Sequence, residues 1–211
     1  MASVADVVST QSPDAECAET RWQKLSAFLV RRRVRISVIV FLILILEDVL
    51  VGIKPHDIAN FRDTESVVGL WLVVAGVALR SWAAGILHKN EHLSRSGPYG
   101  VVRHPLYIGS FMMMVGFCTL IDDWENIWIV LGPFLIFYVF RILREEQSLS
   151  VRFGSLWQEY VQAVPRFLPR RLPKDAFADW SRKQWTKNRE YRTASAAVLG
   201  LIGVELWRKM L

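Results

Sequence analysis

Two short stretches of this 211-residue chain combine residue types that bind and orient charged small molecules. The first runs Ser96-Gly97-Pro98-Tyr99-Gly100-Val101-Val102-Arg103-His104-Pro105-Leu106-Tyr107-Ile108-Gly109. Gly-Pro predicts a turn, and Pro105 suits the first position of a helix, where its missing N–H would have no partner anyway. The helix start behind it offers unpaired N–H groups and a partial positive charge. With Arg103 and His104 beside them, these groups suit a carboxylate or a phosphate. Tyr107 adds a ring for stacking and Gly109 a place for close approach. The plainer reading is an ordinary helix start with basic residues among lipid headgroups.

The second stretch is Arg141-Ile142-Leu143-Arg144-Glu145-Glu146. Arg141 and Glu145 stand four apart and share a helix face. As an exposed ion pair they contribute well under about 1 kcal/mol. Beside an anion-binding helix start, the same acid and base would suit an amino acid-like cofactor that carries both ammonium and carboxylate.

Positioning these groups falls to long apolar segments. The chain is 52% hydrophobic with mean hydropathy +0.24, and its 26 Lys+Arg and 20 Asp+Glu are concentrated between apolar runs. That segregation excludes a disordered chain and a disulfide scaffold, and it predicts a membrane protein. The net charge of +6 does not require nucleic acid, because the basic residues flank the apolar runs. Cys17 and Cys118 suggest no disulfide, His88 and His92 lack ligand spacing, and no metal site is expected.

A membrane crossing of about 30 Å needs roughly 20 apolar residues. Ile36–Ile53, Val67–Leu87, Pro105–Ile121 and Ile127–Leu143 approach that length, and Ala194–Trp207 is a shorter fifth candidate. The first follows a polar tail and lacks a small-x-small cleavage site, so it is not read as a cleavable signal. Six Lys or Arg precede the first span, three lie in the 88–104 loop and twelve between Arg141 and Arg192, whereas the Asp122–Asn126 turn has none. This alternation predicts that the N-terminus, the 88–104 loop and the C-terminal third are cytoplasmic. Asp122–Asn126 predicts an antiparallel hairpin of the third and fourth spans. Residues 144–164, with Leu149, Phe153, Leu156, Trp157, Tyr160 and Val164 at helical spacing, predict an amphipathic helix along the inner surface. The expected fold is therefore all-α: a multi-pass transmembrane helical bundle of four to five spans with a cytoplasmic interfacial amphipathic helix. Arg80, about 10 Å inside the second span, either snorkels or faces a polar cavity. Glu47-Asp48 marks the outer interface.

Gly97-Pro98-Tyr99, Arg103-His104-Pro105-x-Tyr107-x-Gly109, Arg141-x-x-x-Glu145-Glu146-x-x-Leu149, Phe153-Gly154-x-x-Trp157-x-x-Tyr160 and Val164-Pro165 to Pro169 occur in that order. The set resembles the isoprenylcysteine carboxyl methyltransferase family and its compact bacterial relatives over residues 67–169. The resemblance implies a multi-span helical fold with S-adenosyl-L-methionine at the cytoplasmic face. It implies cofactor contacts from Leu93, Tyr99, His104, Pro105, Leu106, Tyr107 and Glu145, with Arg103 beside them. It further implies that Arg141 faces the carboxylate of a lipid-like or prenylated acceptor. Residues 1–30 are then a disordered tail, 31–169 the membrane methyltransferase domain, and 170–211 an extension with a fifth membrane helix. The expected location is the inner membrane of a bacterium or the endoplasmic reticulum of a eukaryote.

Methyl transfer from a sulfonium to a carboxylate needs no deprotonation, so positioning and desolvation remain as the levers. An amine acceptor, as in phospholipid N-methylation, needs a base, for which Glu146 is the nearest candidate. Membrane sterol and steroid reductases that use NADPH share a related pattern. They usually show Asn after His-Pro and an Arg-Asp-Glu run, where this chain has Leu106 and Arg144-Glu145-Glu146. A non-enzymatic membrane protein is the third reading, and it predicts binding of neither cofactor.

Overall fold

The computed structural model describes residues 43, 46–88, 92–122, 124–169 and 180–211. After a helical stretch at 46–51, these residues form α1 (Thr64–Ile86), α2 (Pro98–Val101), α3 (Pro105–Ile121) and α4 (Trp124–Phe153). Then come α5 (Ser155–Ala163), α6 (Arg182–Lys187) and α7 (Glu190–Met210). Among the described residues there is no strand, and Asp48–Leu211 form one unit. The expected all-α class holds. α1 is the one described helix long and apolar enough to cross a membrane, with α3 a shorter apolar helix beside it. The expected first span lies largely outside the described residues.

Each helix end has a local cause. Asp63 caps α1, its carboxylate accepting from Glu65 N–H at 3.2 Å, with Glu65 in the first turn where the helix dipole favours an acid. Pro105 opens α3, as its fixed φ and missing N–H require. Asp122 closes α3 in the left-handed region at φ 64°, its N–H bonding back to Thr119 O at 3.3 Å.

Two boundaries differ from expectation. The polar run Asp122–Asn126 is not a five-residue turn, because α4 already begins at Trp124. Nor does a separate amphipathic helix start at Arg144. α4 continues unbroken to Phe153, about 45 Å in all, and bends only at Gly154, whose φ of +51° suits glycine. α5 then carries Trp157 and Tyr160 inward.

The framework is the antiparallel packing of α1 on α3. Gly69 and Gly76 on α1 face Gly116 and Gly109 on α3, each pair seven residues, or about two turns, apart. A Cβ built on Gly76 would stand 2.6 Å from Gly109 O, and one on Gly116 would stand 2.7 Å from Gly69 O. Such close backbone approach through small residues is how helices gain van der Waals contact where lipid removes the hydrophobic incentive to associate.

The C-terminal segment is stitched to the end of α1. Asn188 Nδ2 donates to Ala84 O and Leu87 O, both at 2.8 Å, and Gln184 Nε2 donates to Leu87 O at 2.5 Å. Ser181 N–H donates to Gly85 O at 3.0 Å. The carbonyls that a helix end leaves orphaned are thus satisfied from residues a hundred positions away. α7 is long, but with Glu190, Arg192 and Glu205 along it, it does not meet the apolar requirement for a crossing.

Because a neighbouring backbone cannot yield cheaply, Gly76→Ala should destabilise the protein by about 1–3 kcal/mol. At about 2–4 °C per kcal/mol for a chain of this size, a thermal melt in detergent resolves the loss. Gly132→Ala in α4, where a Cβ would meet nothing within 4 Å, should leave the melt unchanged or raise it.

Candidate functional site

The loop ahead of α3 and the middle of α4 meet. Glu146, on α4 and only 9% exposed, is the centre of a cationic cage. Arg103 Nη1 donates to its Oε1 at 2.9 Å, and His104 Nε2 stands 3.1 Å from the same oxygen. Arg166 reaches both oxygens, Nε at 3.1 Å and Nη2 at 2.6 Å. Arg103 is itself pinned: its Nε donates to Val164 O and its N–H to Pro165 O, each at 2.9 Å. One carboxylate therefore fastens α4, the 102–104 loop and the segment after α5 to one another.

One turn back on α4, a second contact faces outward. Tyr107 Oη donates to Glu145 Oε2 at 2.8 Å and accepts from Arg141 Nε at 2.9 Å. Arg141 and Glu145 are exposed, and the Tyr107 ring is half-buried, edge-on to Tyr138 at 4.7 Å. The expected convergence of the α3 start with the α4 segment is present, with the Tyr107 hydroxyl as its hinge.

The other expected site residues form the wall behind these two clusters. Tyr99 packs with Ala83 and Ile86, and Leu106 lies against the same cluster. The Tyr99 carbonyl accepts from Tyr160 Oη at 2.7 Å, while its own hydroxyl is buried without a partner among the described residues. Pro105 is fully buried at the α3 start. Leu93 packs against Trp157, Tyr160 and Val164. His104 gives α3 no side-chain cap, since its ring is turned to Glu146.

Two partnerships were out of reach of sequence reasoning. Arg166 sits among prolines twenty residues after Glu146 and gave no periodic signal. Arg80, expected either to snorkel or to face a polar cavity, turns to buried partners: its Nε and Nη2 hold Glu190 Oε1 and Oε2 at 2.7 and 3.0 Å. Its Nη1 also reaches Ser110 Oγ and Leu106 O. Glu190 is 5% exposed, so losing Arg80 would strand a buried charge, a defect of about 3–5 kcal/mol.

The cage sets protonation. Burial pushes the Glu146 carboxyl up, but hydrogen bonds from Arg166 and His104 and the charge of the two arginines outweigh it, leaving the group below its ordinary range. Burial pulls the His104 imidazole down more than its bond to Glu146 lifts it. An ionised Glu146 thus faces a neutral His104, which donates from Nε2. Burial also raises the Tyr99 and Tyr160 hydroxyls well above the usual tyrosine range, so both stay protonated.

Residues 64–155, which carry both clusters except Arg166, match the phospholipid methyltransferase family. A nickel-cobalt-cadmium resistance protein of Alcaligenes xylosoxydans xylosoxydans is 30% identical over 149 residues, 69% of this chain and 68% of that protein. The chain belongs to the isoprenylcysteine and phospholipid methyltransferase family. Within it, the protein-S-isoprenylcysteine O-methyltransferase of Schizosaccharomyces pombe is 30% identical over 98 residues, 46% of this chain and 42% of that enzyme. The 7-dehydrocholesterol reductase of Danio rerio is also similar, 32% identical over 125 residues, 56% of this chain and 25% of that enzyme. No solved structure matches. Membership supports a membrane methyltransferase and leaves the acceptor open.

The cage makes a pH prediction. Both groups hold fewer protons in the folded chain than in the unfolded one, so both cost stability as acid is added. His104 contributes its loss as pH falls below its ordinary 6.5, and Glu146 below its ordinary 4.5. Melting temperature should therefore fall from pH 7.5 towards 5. His104→Gln, which keeps a donor for Glu146, should flatten that limb of the curve.

Proposed function

We propose that this protein is an S-adenosyl-L-methionine-dependent membrane methyltransferase that methylates a carboxylate on a lipid-like acceptor, with its site facing the cytoplasm. The observation that carries the reading is the Arg141–Tyr107–Glu145 chain, a cation and an anion joined through one hydroxyl beside a helix start that has no side-chain cap. A cofactor with an ammonium and a carboxylate on one carbon suits Glu145 for the first and the uncapped helix start for the second, which leaves the Arg141 guanidinium for the acceptor. The partnerless, buried Tyr99 hydroxyl adds a polar group for a ligand to satisfy. The residues present therefore fit the cofactor, with Tyr99, Tyr107 and Glu145 as its contacts and Leu93, His104, Pro105 and Leu106 as the wall.

When bound, the cofactor supplies an electrophilic methyl group on a positively charged sulfur. The chain's own residues have three tasks. Arg141 orients the acceptor carboxylate: a guanidinium has five N–H donors, and its bond to Tyr107 uses one. Tyr107 fixes the spacing between Arg141 and Glu145, which lets two reactants be held in line at effective molarities of about 10⁵–10⁸ M. The apolar surface of α4, where Leu135, Val139, Phe140 and Leu143 are exposed, gives a lipid-like acceptor a path to Arg141 from the bilayer.

Glu146 is a positioning residue in this scheme. Both its oxygens are held by arginine, and its proton affinity is lowered, which disfavours it as a base for an amine acceptor. That favours a carboxylate acceptor over a phospholipid amine. A reductase-like use of the same scaffold is the second reading, prompted by the Danio rerio relative.

Ligand-dependent melting separates them. A hundredfold excess of S-adenosylhomocysteine over its dissociation constant should stabilise the protein by about 2.7 kcal/mol, a rise of about 5–10 °C, while NADPH leaves the melt unchanged. With radiolabelled methyl donor and a prenylcysteine analogue, Arg141→Ala should lower kcat/KM by about 100-fold. Tyr107→Phe should lower it by about 10- to 100-fold, the worth of hydrogen bonds to charged partners. A response to NADPH alone, or full rate in Arg141→Ala, counts against the proposal.

A further inference from the structure

The opposite end of the α1–α3 pair carries a cluster that methyl transfer does not use. His56, in the loop before α1, has its N–H bonded to Leu120 O at 2.9 Å, which holds it against the end of α3. Its ring is surrounded by three carboxylates. Nδ1 is 2.7 Å from Asp63 Oδ2, and Nε2 is 2.8 Å from Glu65 Oε2 and 3.5 Å from Asp122 Oδ1. Asp63 is fixed independently, receiving Ser66 Oγ at 2.6 Å and Glu65 N–H at 3.2 Å.

The two ring nitrogens differ. Nδ1 has a natural acceptor in Asp63. Nε2 is buried and makes no hydrogen bond, although two carboxylate oxygens stand beside it. A bare imidazole lone pair facing two carboxylate oxygens is repulsive unless a cation lies between them. A proton on Nε2 makes no hydrogen bond with either oxygen among the described residues, so it leaves both without a direct partner on the ring. The ligand atoms of His56, Glu65 and Asp122 all fall within 4.8 Å of one another. Around a metal with bonds of about 2.0–2.2 Å, neighbouring ligand atoms stand about 2.8–3.6 Å apart, the short end octahedral and the long end tetrahedral. The two Nε2···O separations match those edges. A histidine that binds metal through one nitrogen while giving its other N–H to a carboxylate is the arrangement that fixes tautomer and ring orientation. Asp63 occupies that second position.

The geometry points to a divalent transition-metal site, with His56 Nε2, Glu65 and Asp122 as ligands and Asp63 orienting the histidine. An imidazole with carboxylates selects Zn²⁺, Co²⁺ or Ni²⁺ over Mg²⁺ and Ca²⁺, which prefer oxygen alone. With three protein ligands, a further position is left for water. The ion joins the loop before α1 to the left-handed turn after α3, closing the end of the helix pair remote from Glu146. The site stands independently of the methyl-transfer proposal.

The test uses the full chain in detergent, stripped with chelator and titrated with Co²⁺ and with Zn²⁺. One Co²⁺ per chain should bind with visible d–d absorption, Zn²⁺ should displace it, and Zn²⁺ should raise the melting temperature where Mg²⁺ does not. His56→Ala should weaken Co²⁺ binding at least about 100-fold, and Asp63→Asn about 10- to 100-fold. Asp122→Ala, in an exposed turn, gives the same readout if the histidine variant fails to fold. His88 and His92, whose rings lie 4.3 Å apart, are the rival binding pair. The His88→Ala/His92→Ala double variant should bind as the parent does. The site is refuted if folded protein binds no Co²⁺, if Mg²⁺ stabilises it equally, or if binding survives loss of His56 or Asp122 and disappears with His88 and His92.

Discussion

A carboxylate taken out of water must have its charge answered, and in this chain the answer comes from three separate segments. Glu146 could not be buried on α4 without Arg103 and His104 from one side and Arg166 from the other. The arginines in turn are tied to backbone or to the same carboxylate, so no member of the cage has freedom to move alone. Because Tyr107 lies one helical turn beyond His104, and Arg141 and Glu145 flank the turn of α4 below Glu146, the outward-facing contact inherits its geometry from the buried one.

The cage would have nothing to organise without the glycine-mediated contact of α1 and α3. That contact brings two backbones close enough for Arg80 to reach across α3 to Ser110 and Leu106 O while holding Glu190 of α7. Polar groups at such depth are kept only when every charge is matched. Arg80 and Glu190 match each other in two hydrogen bonds, which makes the C-terminal helix a required part of the fold's interior.

What the sequence could reveal followed from range. The start of α3 at Pro105 was legible because proline at the first helical position, a basic pair before it and an unbroken apolar run after it are all local. The meeting of the Arg103–Tyr107 and Arg141–Glu146 stretches was legible because two antiparallel helices and a short connection leave little choice. The continuity of α4 is not legible: the charged run at Arg144–Glu146 predicts the start of a separate amphipathic helix, yet charge alters what surrounds a backbone, not whether it stays helical, and no breaker occurs between that run and Gly154. Asp122–Asn126 predicts a turn because it is polar, whereas α4 already starts at Trp124. Arg80–Glu190, Glu146–Arg166 and His56–Asp122 depend on pairings 20 to 110 residues apart, for which hydrophobic periodicity carries no signal.

Glu145 and Glu146 show most directly how position divides labour between like residues. Successive helical residues are rotated about 100°, so two adjacent glutamates cannot share one environment. The face of Glu146 turns to the 102–104 loop, where burial alone would neutralise it and the cationic cage keeps it ionised. The face of Glu145 turns outward along Arg141, where the Tyr107 hydroxyl donates to it. Environments that differ this much separate the roles that two chemically identical groups can take. The caged carboxylate is held from three sides and its proton affinity is lowered, so it serves as an anchor. The exposed one holds the Tyr107 hydroxyl, and its place beside that ring is set by the anchor next to it.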